Sequence, residues 1–147
     1  MYTHILKGFL ERDLELLKKE ISAYQNEANL WKVDGTIHNS AGNLCLHLVG
    51  NLNYFIGTAL GKSGYIRDRD AEFTIKNVSR EELLKMVHDT QVVVASTLNN
   101  LTDADLENDF PYEVMNQHWK NAQFLFHLTT HLTYHLGQIN YHRRLLD

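Results

Sequence analysis

This chain has little of what most folds and most chemistries use as punctuation. It has one proline and one cysteine in 147 residues. Sparse proline leaves long helices uninterrupted, because proline removes a backbone donor and breaks helix interiors. A single cysteine excludes an intramolecular disulfide and suits a reducing compartment. Cys45 lies in the apolar run Leu44-Cys45-Leu46, so it is expected to be a buried hydrophobe rather than a reactive thiol. No apolar run approaches the roughly 20 residues needed to span a bilayer. Glu11, Asp13 and Glu15 come early in the chain with no apolar signal core before them, so a cytoplasmic protein off the membrane is expected. Basic clusters are short (Lys18-Lys19, Arg143-Arg144) and the net charge is −4, which speaks against a nucleic-acid partner.

Catalytic signatures are missing as well. No GxSxG elbow presents a serine nucleophile, and no glycine-rich loop cradles a phosphate. No ExxH pair of the di-iron carboxylate type occurs. Cys45 and His47 are two positions apart, so on a helix they point roughly opposite ways.

Apolar residues and histidine are plentiful. The hydrophobic fraction is 44%, enough for one domain over residues 1–147 with a substantial core. A first amphipathic helix is predicted from Tyr2 to Tyr24, carrying Ile5, Leu6, Phe9, Leu10, Leu14, Leu17, Ile21 and Tyr24 at helical spacing. Asp34-Gly35 then turns the chain, and Trp31 is expected to pack on the helices. The second helix starts at Asn39 or Ser40, either a good N-cap, and runs to Leu60. It is apolar around much of its circumference except for a stripe of Asn43, His47 and Asn51. Buried polar groups need partners, so the stripe serves either a metal with its supporting hydrogen bonds or a network between helices.

Residues 61–78 form an unusually long connection. Its core, Arg67-Asp68-Arg69-Asp70-Ala71-Glu72-Phe73, is either a structural clamp or a surface that closes a site. Ser79 with Glu82 opens a third helix as a capping box, which reaches about Leu101. Phe110–Val114 reads as extended, with Asn116-Gln117 turning it into a small hairpin. The fourth helix spans about Asn121 to Leu146, with Phe124, Leu125, Leu128, Leu132, Leu136, Ile139 and Leu145 on its core face. Four such helices define an all-α four-helix bundle.

Nine histidines are present. His131 and His135 are four apart, on one helix face and one turn from each other, so both can reach one ion. Bundle sites are built from inward side chains on facing helices, and His47 supplies a third imidazole from the second helix. Three imidazoles plus a free position are the pattern of a catalytic rather than a structural zinc site; zinc, nickel and iron all suit the donors. Asn51 and Gln138, each one turn from a ligand, are placed to hydrogen-bond outer ring nitrogens or bound water. His127, four before His131, is the alternative partner, but the Gly137-Gln138 extension favours the later pair. His88 and His142 are expected at the surface, and His4, His38 and His118 in ends or loops, with His118, beside Trp119, a candidate to border a pocket.

The segment Asn43–Leu52, the Arg67–Phe73 loop and the HxxxHxGQ element His131–Gln138 together resemble the DinB-like superfamily, and most of all its DUF1572 branch. The resemblance covers nearly the whole chain. It implies an up-down-down-up bundle with a long crossover between helices two and three, a homodimer, and a metal triad that falls on His47, His131 and His135. It further implies a metal-dependent transferase that moves a low-molecular-weight thiol such as bacillithiol, mycothiol or glutathione onto a small electrophile. A non-catalytic, stress-related metal- or ligand-binding module is the alternative. Leu136 stands where the common HHRGQ form has arginine.

Overall fold

The computed structural model describes residues 1–147. It is all helical. Helix α1 (Tyr2–Ala23) buries Leu6, Leu10, Leu14, Leu17 and Ile21 along one stripe, as the 3.6-residue period requires. Ile5 and Phe9, expected on that stripe, lie at its edge and are 41% exposed each. A short 3₁₀ turn (Glu27–Trp31) follows. Trp31 then packs on the start of α2, where a Cβ at Gly42 would sit 2.7 Å from the indole.

Helix α2 (Ala41–Leu52) is capped by Ser40, whose side chain accepts from the Asn43 amide, and every one of its residues is buried. It continues as a π-helical segment, Asn53–Thr58. Wide turns of this kind are concentrated at functional sites. The expected linker contains a further helix, α3 (Arg69–Thr74), capped by Asp68. Six residues are too few for apolar periodicity to reveal a helix within that connection. Helix α4 (Arg80–Asn99) begins at the Ser79 cap. A hairpin follows, with bridges Asp109↔Lys120 and Val114↔Gln117. Met115 and Asn116 form its tip at φ 54° and 56°, so the turn sits one residue earlier than expected, in the twist that two-residue hairpins prefer. Helix α5 (Asn121–Leu146) completes the chain. Leu145, expected in the core, is 68% exposed.

The long helices pack in defined directions. α1 runs parallel to α5: Thr133 donates to Asp13 at 2.6 Å and Arg143 to Glu20 at 2.8 Å. α1 is antiparallel to α4, with Gln91 bonded to Glu15 and Arg80 to the Tyr24 carbonyl. α2 is parallel to α4 through Asn53–Thr90, and antiparallel to α5 through Phe55–Phe124 and His47–His131. A core of 27 buried hydrophobic residues joins them. No helix is long and apolar enough to cross a membrane.

His142, expected at the surface, is buried at 3% exposure. Its Nδ1 accepts from the Tyr24 hydroxyl at 2.7 Å and its Nε2 donates to the Lys32 carbonyl at 2.9 Å. The basic neighbours Arg143 and Arg144 suggested a solvated face, but the ring closes the gap between the ends of α1 and α5.

Candidate metal centre

The antiparallel pairing of α2 and α5 sets His47 opposite His131 and His135. The Nε2 of His131 lies 3.2 Å from Nε2 of His47 and 3.1 Å from Nε2 of His135. One ligand atom from each of the three rings falls within 4.8 Å of the other two. The rings stand nearly perpendicular to one another, with interplanar angles of 77°, 88° and 89°.

Outer partners fix two of the rings. His47 Nδ1 faces Glu72 Oε1 at 3.0 Å. That carboxylate is gripped from its other side by Arg67, Nε to Oε2 at 2.8 Å and Nη2 to Oε1 at 2.9 Å. His135 Nδ1 faces Gln138 Oε1 at 2.7 Å. Both acceptors draw the ring proton to Nδ1, so Nε2 of His47 and of His135 each present a lone pair inward. His131 Nε2 can donate to only one of them. Its own Nδ1 is buried without a partner.

The polar stripe of α2 resolves into three jobs. Asn43 donates to the backbone carbonyls of Glu72 and Ile75 at 2.9 and 2.8 Å, which anchors α3. His47 meets Glu72. Asn51 faces the cavity, with its Oδ1 buried and unpaired. It bonds to none of the three rings; the outer nitrogen of His47 belongs to Glu72 instead. Gly50 makes that approach feasible, because a Cβ there would overlap the Glu72 carboxylate. The Arg67–Phe73 segment therefore both clamps His47 and, through Arg69 and Phe73, walls the site.

Burial lowers the basicity of the cluster. His131 is pulled down to about 3, first by desolvation and then by the neighbouring His135 and His47. His135 is lowered by desolvation, partly opposed by its bond to Gln138. For Glu72, burial pushes the carboxyl up, but hydrogen bonds from His47 and Arg67 with the Arg67 charge outweigh it, and the net direction is down. An anionic carboxylate thus stands behind the cluster, and His131 and His135 are held toward the neutral form in which imidazole binds metal.

The three nitrogens fit a metal ion. With metal–nitrogen bonds of about 2.1 Å, tetrahedral ligand atoms lie about 3.4 Å apart and octahedral neighbours about 3.0 Å. The two close separations, 3.2 and 3.1 Å, fall between these. A cation among the lone pairs would also remove the repulsion that hydrogen bonding alone leaves in place. The cluster opens onto a cavity of about 490 Å³ whose other walls include Phe55, Phe73, Phe124 and Met115.

The remaining histidines separate cleanly. His127 lines the cavity, stacked on Phe124 and tilted against Trp119, outside the converging trio. His118 is exposed, 3.8 Å from Glu113. His4, His38 and His88 are exposed. Leu136 is buried in the core and borders the groove between α1 and α5, not the cavity. Cys45 is fully buried and its thiol is pushed up to about 12 by desolvation. Sequence reasoning assigned no role to Glu72 or Arg67 individually. The available signal was the unpartnered stripe on α2 beside an overlong, charged connection.

Fold and site together define an all-helical protein with a three-histidine group able to hold a metal ion. The chain belongs to the DUF1572 family, described as "Protein of unknown function (DUF1572)", which it matches over residues 2–147. It is similar in fold to a crystal structure of a conserved protein from Enterococcus faecalis, with a TM-score of 0.77 and 14% identity over 98% of this chain and 96% of that one. No curated protein matches it.

Proposed function

We propose that this protein binds a divalent metal through His47, His131 and His135, and that it is a thiol S-transferase of the DinB-like type acting on small electrophiles. The observation that carries the reading is the convergence of three Nε2 atoms on one point, 3.1–3.2 Å apart in two of the pairs. A bound divalent ion, whether zinc, nickel or iron, would supply Lewis acidity and favour the thiolate form of a thiol that approaches it. The chain's own residues do the rest. Glu72 and Arg67 hold His47, Gln138 holds His135, and Phe55, Phe73 and Met115 give the cavity its apolar walls. In the transfer, the thiol sulfur forms a bond to an electrophilic carbon, the leaving group departs with the bonding electrons, and the thiol proton passes to solvent.

The same reading takes the four long helices as an up-down-down-up bundle, supported by the parallel and antiparallel pairs described above. It makes the protein a cytoplasmic homodimer. Exposed Tyr2, Ile5, Phe9 and Leu16 on α1, with Phe126, Tyr134, Tyr141 and Leu145 on α5, supply apolar surface for a second copy, and light scattering checks the mass.

Elemental analysis of protein purified without a histidine tag, followed by assay with bacillithiol, glutathione and mycothiol against a chloronitroarene, tests the function. The expected result is stoichiometric metal and turnover that a chelator abolishes. Metal without turnover would leave the non-catalytic binding module as the reading. Absence of metal affinity would overturn both.

A further inference from the structure

Two arginines of the α3 region, two positions apart, have opposite fates. Arg67 turns inward and is fully engaged by Glu72. Arg69 lies at the cavity wall, where its guanidinium stacks over the Phe73 ring at 5.3 Å and pairs with no carboxylate. No aspartate or glutamate lines the cavity at all, so Arg69 is its only full charge. A cation held over an aromatic face is restrained in position while its N–H edge stays free. Beyond it, the partly exposed Phe55 and Phe73 line the same space, backed by the buried ring of Phe124. Pockets that bind small molecules combine apolar walls with a few such placed polar groups.

We propose that the cavity takes small organic acids with a flat apolar body. The carboxylate sits on Arg69, the body lies against Phe55 and Phe73, and the far end is presented to the three Nε2 atoms. This rests on the reading of the histidine cluster as the reactive end, and it assigns the electrophile's class: an aryl or alkenyl acid rather than an amine or a neutral molecule. A cationic ligand would meet Arg69 with no compensating anion, since Glu72 is already committed to Arg67 and His47.

The test uses metal-free protein, so that a carboxylate cannot bind through the ion. 3-Phenylpropanoate and its neutral analogue 3-phenylpropanamide are titrated by ligand-observed NMR into wild type, Arg69→Gln and Phe73→Leu. On wild type the acid is expected to bind about tenfold more tightly than the amide, the worth of one charge-assisted pair at a partly solvated site. Arg69→Gln should erase that preference. Phe73→Leu should weaken both probes and narrow the preference. Equal binding of acid and amide to wild type, no binding of either, or a preference that survives Arg69→Gln would each overturn the proposal. Arg69 is exposed, so its substitution leaves the fold intact, which circular dichroism verifies. Cobalt titration of wild type, run separately, reports on the metal site alone; its failure beside a retained acid preference would sink the metal reading and the electrophile assignment with it, and leave acid binding at Arg69 standing.

Discussion

Two histidine arrangements in this molecule, one buried and one at the wall of a cavity, have opposite outcomes. His142 is nearly inaccessible, yet both ring nitrogens are occupied, one by the Tyr24 hydroxyl and one by the Lys32 carbonyl. Nothing further is asked of it, and it acts as a cross-link between helices. In the other arrangement, His47, His131 and His135 aim nitrogens at each other, and the buried Nδ1 of His131 has no partner. Burying polar groups without satisfying them is costly, so the cluster carries a cost that His142 does not, and it keeps nitrogen lone pairs free to take a cation. Residue type alone does not separate a histidine with both nitrogens bonded from one with a nitrogen to spare. The hydrogen-bond account does.

Exchanging the two roles by mutation gives the largest expected effects. His131→Ala removes the imidazole shared by both close pairs and should abolish cobalt or zinc binding in a spectroscopic titration, with little loss of fold. His142→Ala should do the reverse. It leaves the Tyr24 hydroxyl and the Lys32 carbonyl unpaired and opens a void, at a cost of about 2–4 kcal/mol, read by chemical denaturation. Metal affinity should be unchanged. If His142→Ala also released the metal, the distinction between the two arrangements would be wrong.

Next in size is the carboxylate behind the site. Glu72→Ala frees His47 to rotate and removes the carboxylate that holds its Nδ1. Outer partners of this kind are worth about 10–100-fold in metal affinity. Gly50→Ala should mimic it, because the new Cβ takes the space that Glu72 fills. An intermediate loss in Glu72→Gln would separate geometry from charge.

These residues also mark what the sequence could tell and what it could not. Helix positions follow from apolar spacing, and Ser40 and Ser79 cap where side-chain chemistry says they should. His131 and His135 are legible because one helix carries both. The stripe Asn43-His47-Asn51 announces that α2 needs polar partners, but not which ones. Glu72 answers from 25 positions away, on a helix too short to have a period. His142 was misplaced for a related reason. Its partners are a tyrosine at the end of α1 and a backbone carbonyl, and a carbonyl has no signature in sequence. Leu145 and Ile5 fit the periodicity yet face outward, since spacing locates a stripe but not its edges.

The comparison also has a pH form in metal-free protein. An unfolded histidine titrates near 6.5, whereas His131 in the folded chain is held down to about 3. Between these values the unfolded state binds the extra proton. Stability is therefore fully present above about pH 6.5 and is lost as pH falls toward 3. His135 shifts in the same direction. Denaturation midpoints followed from pH 7 to pH 4 should fall, and fall less steeply in His131→Gln, which has nothing to protonate. Parallel slopes in the two proteins would mean that His131 is not held neutral by its surroundings.

The smallest effect is expected at Gln138. Its bond to His135 is short, 2.7 Å, but solvent reaches it, and water can replace an exposed partner at little net cost. Gln138→Leu should weaken metal binding only a few-fold, about 0.5–1 kcal/mol, against the larger loss at buried Glu72. The two substitutions act on equivalent nitrogens of two rings of the cluster, so the gap between them measures burial and the charge of Glu72 together. A calorimetric titration that found Gln138→Leu as damaging as Glu72→Ala would show that solvent does not stand in for the amide, and that the His135 side of the cluster is more enclosed than its exposure suggests.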